Sequence, residues 1–132
     1  MIEQRVNAVD HKDVSALLSH HSPDVLSFDV VNPLQHAGVE RVKERAEHWL
    51  AAFQGSIGYE VRNLKITSGN DVAFCHFLYH VSGTLAAGGT VSMWVRATLC
   101  LHHVHGAWMI AHEHQSVPFD AATGQASLNL VP

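Results

Sequence analysis

The stretch Gly106-Ala107-Trp108-Met109-Ile110-Ala111-His112-Glu113-His114-Gln115-Ser116-Val117-Pro118-Phe119 decides the fold class, because it closes a two-residue hydrophobic period with a Glu flanked by two His. Side chains alternate across a strand, so His112 and His114 share one face and Glu113 takes the other. The same period runs back to residue 55. It predicts strands over 57–67, 72–84, 90–104 and 107–117, divided by the turn signals Ser68-Gly69-Asn70-Asp71, Ala87-Gly88-Gly89 and His105-Gly106. Val25 to Val31 is a fifth candidate.

Upstream the period is helical. Val39, Val42, Ala46, Trp49, Leu50 and Phe53 fall on one helix face bracketed by Gly38 and Gly55. Ile2, Val6 and Val9 mark a shorter face. Asp13 is positioned to cap a second short helix ending near Leu18, and Ser22-Pro23-Asp24 then stops helical structure. Helices followed by consecutive hairpins predict an α+β fold in which one antiparallel sheet is covered by helices on one face.

With 132 residues, 47% of them hydrophobic, the chain suffices for one core and is too short for two ordinary domains. We read one domain over 1–119 and a loosely held tail over 120–132. Charged residues make up only 15% and the net charge is −4, which argues against nucleic acid and anionic membranes as partners. Glu3 and Arg5 interrupt the N-terminus, and no run reaches the ~18 apolar residues of a spanning helix. A cytoplasmic location is expected. Cys75 and Cys100 both lie in predicted strands and read as free thiols.

The Gly-x-Trp-x-Ile-x-His-x-His-x-Ser-x-Pro run and the element order resemble the SnoaL-like branch of the nuclear transport factor 2-like superfamily, over residues 1 to about 119. The resemblance implies a cone-shaped fold, a curved antiparallel or mixed sheet wrapped by about three helices from the N-terminal half, with a pocket between the long helix and the sheet. Within the superfamily, Ser22-Pro23-Asp24-Val25-Leu26-Ser27-Phe28-Asp29, followed nine residues later by Gly38, is similar to ketosteroid isomerase, whose general base would fall on Asp29. The isomerase's second, protonated Asp falls on Thr98 and its oxyanion-binding Tyr near Arg5, so the isomerase oxyanion hole is missing.

By that register the helix-covered face carries Cys75, Phe77, Tyr79, Trp94, Arg96, Thr98, Ala111, Glu113 and Gln115. The resemblance then implies Asp29 as base, Arg96 polarising a substrate oxygen and Glu113 orienting Arg96. Trp49, Phe77, Tyr79, Trp94, Thr98 and Gln115 would contact the ligand. A structural Arg96–Glu113 bridge is the competing reading, and Asp29 has one too, as a carboxylate capping a turn before Pro33. His36 sits in the same loop as a second proton-transfer candidate.

His112 and His114 have a spacing that places two imidazoles about 6.6–7 Å apart on one strand face, and His76 or His80 could complete a zinc site. The register puts that face outside the sheet with Val95, Ala97, Leu99 and Leu101, where an uncovered apolar surface calls for a partner. A homodimer with no metal and no cofactor is therefore preferred. The expected function is binding of a small hydrophobic or carbonyl-bearing ligand, with cofactor-free isomerase, cyclase or lyase chemistry. The alternative is a non-catalytic ligand-binding or association module, since the last strand also resembles the association domain of calcium/calmodulin-dependent kinases.

Overall fold

A computed structural model describes residues 1–132. Three helices, α1 (Ile2–Asp10), α2 (Val14–Leu17) and α3 (Val39–Ala51), accompany six strands: β1 (His21–Phe28), β2 (His36–Ala37), β3 (Phe53–Ser68), β4 (Val72–Leu85), β5 (Thr90–Val104) and β6 (Ala107–Ser116). They form one open mixed sheet in the order β2-β1-β6-β5-β4-β3. Only the β1–β6 pairing is parallel. No helix is long and apolar enough to cross a membrane.

Local chemistry sets the helix positions. The Asp13 carboxylate accepts the Ala16 N–H at 3.0 Å, satisfying one of the donors left over at the start of α2. Gly38 precedes α3 at φ +90°, a conformation that side-chain-bearing residues rarely adopt. Val42, Ala46 and Leu50 then follow at four-residue intervals and are buried. The helix therefore lies with one stripe on the sheet and its charged face outward.

Strand β1 begins earlier than the periodicity implies, because Ser22-Pro23-Asp24 lies inside it, at an irregularity between His21 and Leu26. Proline tolerates this where the ladder is already broken. The two-residue strand β2 was not foreseen; its backbone pairs Leu26 with Ala37 and Ser27 with His36.

The inner face of β4 carries Cys75, Phe77 and Tyr79, as expected, and also Val81. On β5 the faces are exchanged: Val95, Ala97, Leu99 and Leu101 are core residues, with Leu99 fully buried, while Trp94, Arg96 and Thr98 face outward. One extra residue is responsible. The His105-Gly106 turn pairs Val104 with Ala107 and Leu101 with Ile110, but a bulge at Ala111 then pairs Cys100 with His112 and Leu99 with Glu113. A one-residue slip moves a whole strand segment to the other face. The aliphatic outer face expected of Val95, Leu99 and Leu101 is therefore absent.

Candidate functional site

α1, α2 and α3 hold a cavity of about 270 Å³ against the concave face of the sheet. Val42, Ala46 and Trp49 of α3, Val9 of α1 and Leu17 of α2 give it apolar walls, completed by Val81, Leu85, Val91 and Met93 from the sheet. One region of the lining is polar and formed by Arg5, His21, Ser27, Tyr59, Tyr79, Glu113 and Gln115.

Glu113 is the hub of that region and is only 4% exposed. Its Oε2 accepts from His21 Nε2 at 3.1 Å and lies 3.7 Å from Arg5 Nη1, and its Oε1 accepts from Ser27 Oγ at 3.1 Å. Burial works against the charge, but the His21 hydrogen bond, Arg5 and Ser27 outweigh it and bring Glu113 down to about 2. Burial likewise opposes the charge on Arg5, and Tyr59 and Glu113 together hold its pKa above the ordinary value. An ionised buried pair is thus kept by several partners at once, the condition under which such groups are tolerated.

From Arg5 the network continues across the sheet. Arg5 Nε donates to the Tyr59 hydroxyl at 3.2 Å, the rings of Tyr59 and Tyr79 stack with centroids 4.6 Å apart, and the Tyr79 hydroxyl donates to Gln115 Oε1. Burial raises the pKa of both phenols, so both remain protonated donors.

Asp29 lies on the cavity lining, and its cation is Arg45 of α3. Arg45 Nε donates to Asp29 Oδ2 at 2.6 Å, while Oδ1 accepts the Val30 N–H at 2.6 Å. Arg96 is exposed on the opposite face and donates to Ser116 Oγ at 3.1 Å. The expected Asp29–Arg96 pocket pair and the Arg96–Glu113 bridge are therefore corrected: Arg45 serves Asp29, and Arg5 serves Glu113. Trp94 is likewise corrected, lying on the outer face beside His80 and under the Arg62 guanidinium, 5.0 Å from the ring centroid. Thr98 is exposed between His76 and His114. Phe77 has the expected face but is core beneath the cavity. Trp49, Tyr79, Glu113 and Gln115 do line it, as does His36.

Arg5, His21 and Tyr59 were not among the candidates. The signal for Arg5 was present, since it falls where the isomerase places its oxyanion-binding Tyr. Nothing in the sequence marks His21, which immediately precedes the turn signal Ser22-Pro23-Asp24.

His112 and His114 face outward as expected, packing edge-on against Phe28. Their ring centroids are 6.4 Å apart, and His112 Nδ1 donates to the Leu26 carbonyl at 2.6 Å. No three His, Cys, Asp or Glu side chains converge in a metal-binding arrangement. Cys75 and Cys100 are free thiols.

A sheet curled around an apolar cavity and covered by three helices defines the nuclear transport factor 2-like, or cystatin-like, class of fold. The SnoaL-like domain model matches residues 1–120, and the chain belongs to that family. Among solved structures it is similar to a nuclear transport factor 2-like protein of unknown function from Pseudomonas putida KT2440, with 26% identity over 99% of this chain and 91% of that one, at a TM-score of 0.90. It also resembles in fold a ketosteroid isomerase-like protein from Erwinia carotovora atroseptica, at 17% identity, 87% and 88% coverage and a TM-score of 0.73. A proposed dehydratase of the nuclear transport factor 2-like family from Streptomyces avermitilis is 16% identical, with 87% and 89% coverage and a TM-score of 0.74. No curated protein matches the sequence.

Proposed function

We propose that this SnoaL-like protein binds a small, largely apolar molecule bearing an oxygen function in the cavity between α3 and the sheet. The observation that carries this reading is the placement of the Arg5–Glu113–Tyr59 network on one part of an otherwise apolar lining. Apolar walls supply affinity, and a few convergent polar groups set orientation. A hydroxyl or carbonyl oxygen directed at Tyr59, Tyr79 or Gln115 exchanges hydrogen bonds with water for hydrogen bonds within the site. Asp29, held by Arg45, charges the lining at a second point, and Trp49 offers an aromatic surface near it.

A homodimer built on the outer sheet face is part of the proposal. That face exposes Phe74 and Val72 and carries the partly buried Leu78 and Trp94 among its histidines, a mixed aromatic and polar composition suited to a partner.

The binding reading is tested by fluorescence titration with 2-naphthol and its methyl ether. Both have the same apolar rings, and only the naphthol has a donor. The expected result is saturable binding of both, with the naphthol tighter by up to about tenfold, the value of one hydrogen bond. Absence of binding by either contradicts the proposal.

A further inference from the structure

Two stripes of side chains run along α3. Val42, Ala46 and Trp49 line the cavity, and one position ahead Arg41, Glu44, Arg45 and His48 recur at the same helical spacing. The second stripe forms one bank of a polar groove of about 450 Å³, whose other bank comes from the chain before α3 and includes Gln35 and His36. Arg45 and His36 line both the groove and the cavity, so an apolar hollow and a polar one meet at these two residues.

Arg45 is placed to hold a ligand at that junction. Asp29 engages its Nε at 2.6 Å, which leaves the two Nη groups at the end of the guanidinium for another acceptor. The side chain is 29% exposed, so solvent reaches it. Planar donors in a fixed fork fit the two oxygens of a carboxylate, and one guanidinium can serve two carboxylates on different edges. Arg41 adds a second cation, since its 3.4 Å contact with Glu44 lies on the surface, where such pairs are weak. Two arginines against Glu44, with both histidines neutral, give the groove a formal charge of +1. That matches a monoanion and falls short of a phosphate dianion. Arg5, the other arginine on the cavity lining, does not compete. It is 11% exposed and already holds Glu113 and Tyr59, and a carboxylate brought beside it would meet the Glu113 charge.

We propose that the ligand is a monocarboxylate amphiphile, its apolar body in the cavity and its carboxylate at the groove, held by the Nη groups of Arg45. This deepens the small-molecule reading above and rests on it. The ligand is then two-ended: an oxygen function reaches the Tyr59, Tyr79 and Gln115 region, and the carboxylate stays at the wet junction, where it keeps part of its hydration. Asp29 acts as a positioning residue, since its Oδ1 is fixed by the Val30 N–H while its Oδ2 fixes Arg45.

The test compares 2-naphthoxyacetate with 2-naphthoxyacetamide, which have the same rings and nearly the same shape and differ in charge. In fluorescence titrations the wild-type chain should bind the acid about tenfold more tightly, the effect of one partly exposed charge-assisted hydrogen bond. In Arg45→Gln the two affinities should come within about threefold of each other; the ratio is unaffected by any loss common to both ligands. Equal binding of acid and amide by wild type, or a preference that survives unchanged in Arg45→Gln, overturns the carboxylate assignment and leaves the cavity reading standing. Failure of both compounds and of 2-naphthol to bind overturns both readings. Wild-type NMR gives an answer that depends on no variant's folding: the methylene of bound 2-naphthoxyacetate should show nuclear Overhauser contacts to Arg45 and His36. Contacts from that methylene to Tyr59 and Gln115 instead would place the carboxylate at the inner end and overturn the proposal.

Discussion

His21 Nε2 donates to Glu113 Oε2 at 3.1 Å, linking the first residue of β1 to the middle of β6 across 92 positions of sequence. In the ladder His21 is opposite Ile110 and Ser27 opposite Glu113, and the irregularity between His21 and Leu26 brings both side chains to the same carboxylate. The one parallel pairing of the sheet is thus fastened by a buried polar network.

Removing the hub should be costly. Glu113→Ala leaves the Arg5 charge without its carboxylate partner and strips His21 and Ser27 of their acceptor. We expect a loss of about 3–5 kcal/mol in urea denaturation, as for other buried pairs broken from one side.

The same carboxylate sets an acid limit. Its ordinary value is 4.5 and its folded value about 2. Above pH 4.5 both folded and unfolded states are ionised and the stabilisation is complete. As the pH falls from 4.5 toward 2 the unfolded state takes up a proton that the folded state does not, so stability declines across that window. The total is on the order of 3 kcal/mol. Denaturation midpoints measured from pH 6 down to 2 should fall in the wild type and fall less in Glu113→Gln.

Leu99 is fully buried in the centre of β5. Leu99→Ala should cost about 2–5 kcal/mol through lost burial and the void left behind. Arg96→Ala, one face away, should change stability by no more than about 0.5 kcal/mol and leave 2-naphthol affinity unchanged. If Arg96→Ala instead weakens binding strongly, the strand faces are assigned the wrong way round.

The outer-face interface is tested by light scattering. Wild type should have twice the mass of the chain at micromolar concentration, and Phe74→Lys should give the monomer, because Phe74 is half-exposed on that face and away from the core. A wild-type monomer contradicts the dimer.

The long apolar periods made most of the fold legible. α3 followed from Val42, Ala46 and Leu50, and the hairpins from two-residue alternation and the His105-Gly106 turn. The parallel β1–β6 pairing was not legible, since nothing local in His21–Phe28 specifies a partner on β6. The site was read in half. Tyr79, Glu113 and Gln115, put on the helix-covered face by the isomerase register, and Trp49, on the apolar face of α3, line the cavity, whereas Arg96, Trp94 and Thr98 are misplaced by the bulge at Ala111. A bulge adds a residue without leaving a compositional mark when that residue is as unexceptional as Ala, so alternation carried across it inverts. Arg5 and Tyr59 meet only through contact between α1 and β3, 54 positions apart, which no local pattern encodes.

The central claim is that ligand enters the cavity between α3 and the sheet. A methyl-resolved NMR titration with 2-naphthol tests it most directly. The account predicts shifts confined to cavity methyls such as Val9, Val42, Val81, Leu85 and Met93, saturating together with one affinity. Shifts centred on the outer-face methyls of Val72 and Leu78, with the cavity methyls unmoved, would contradict it.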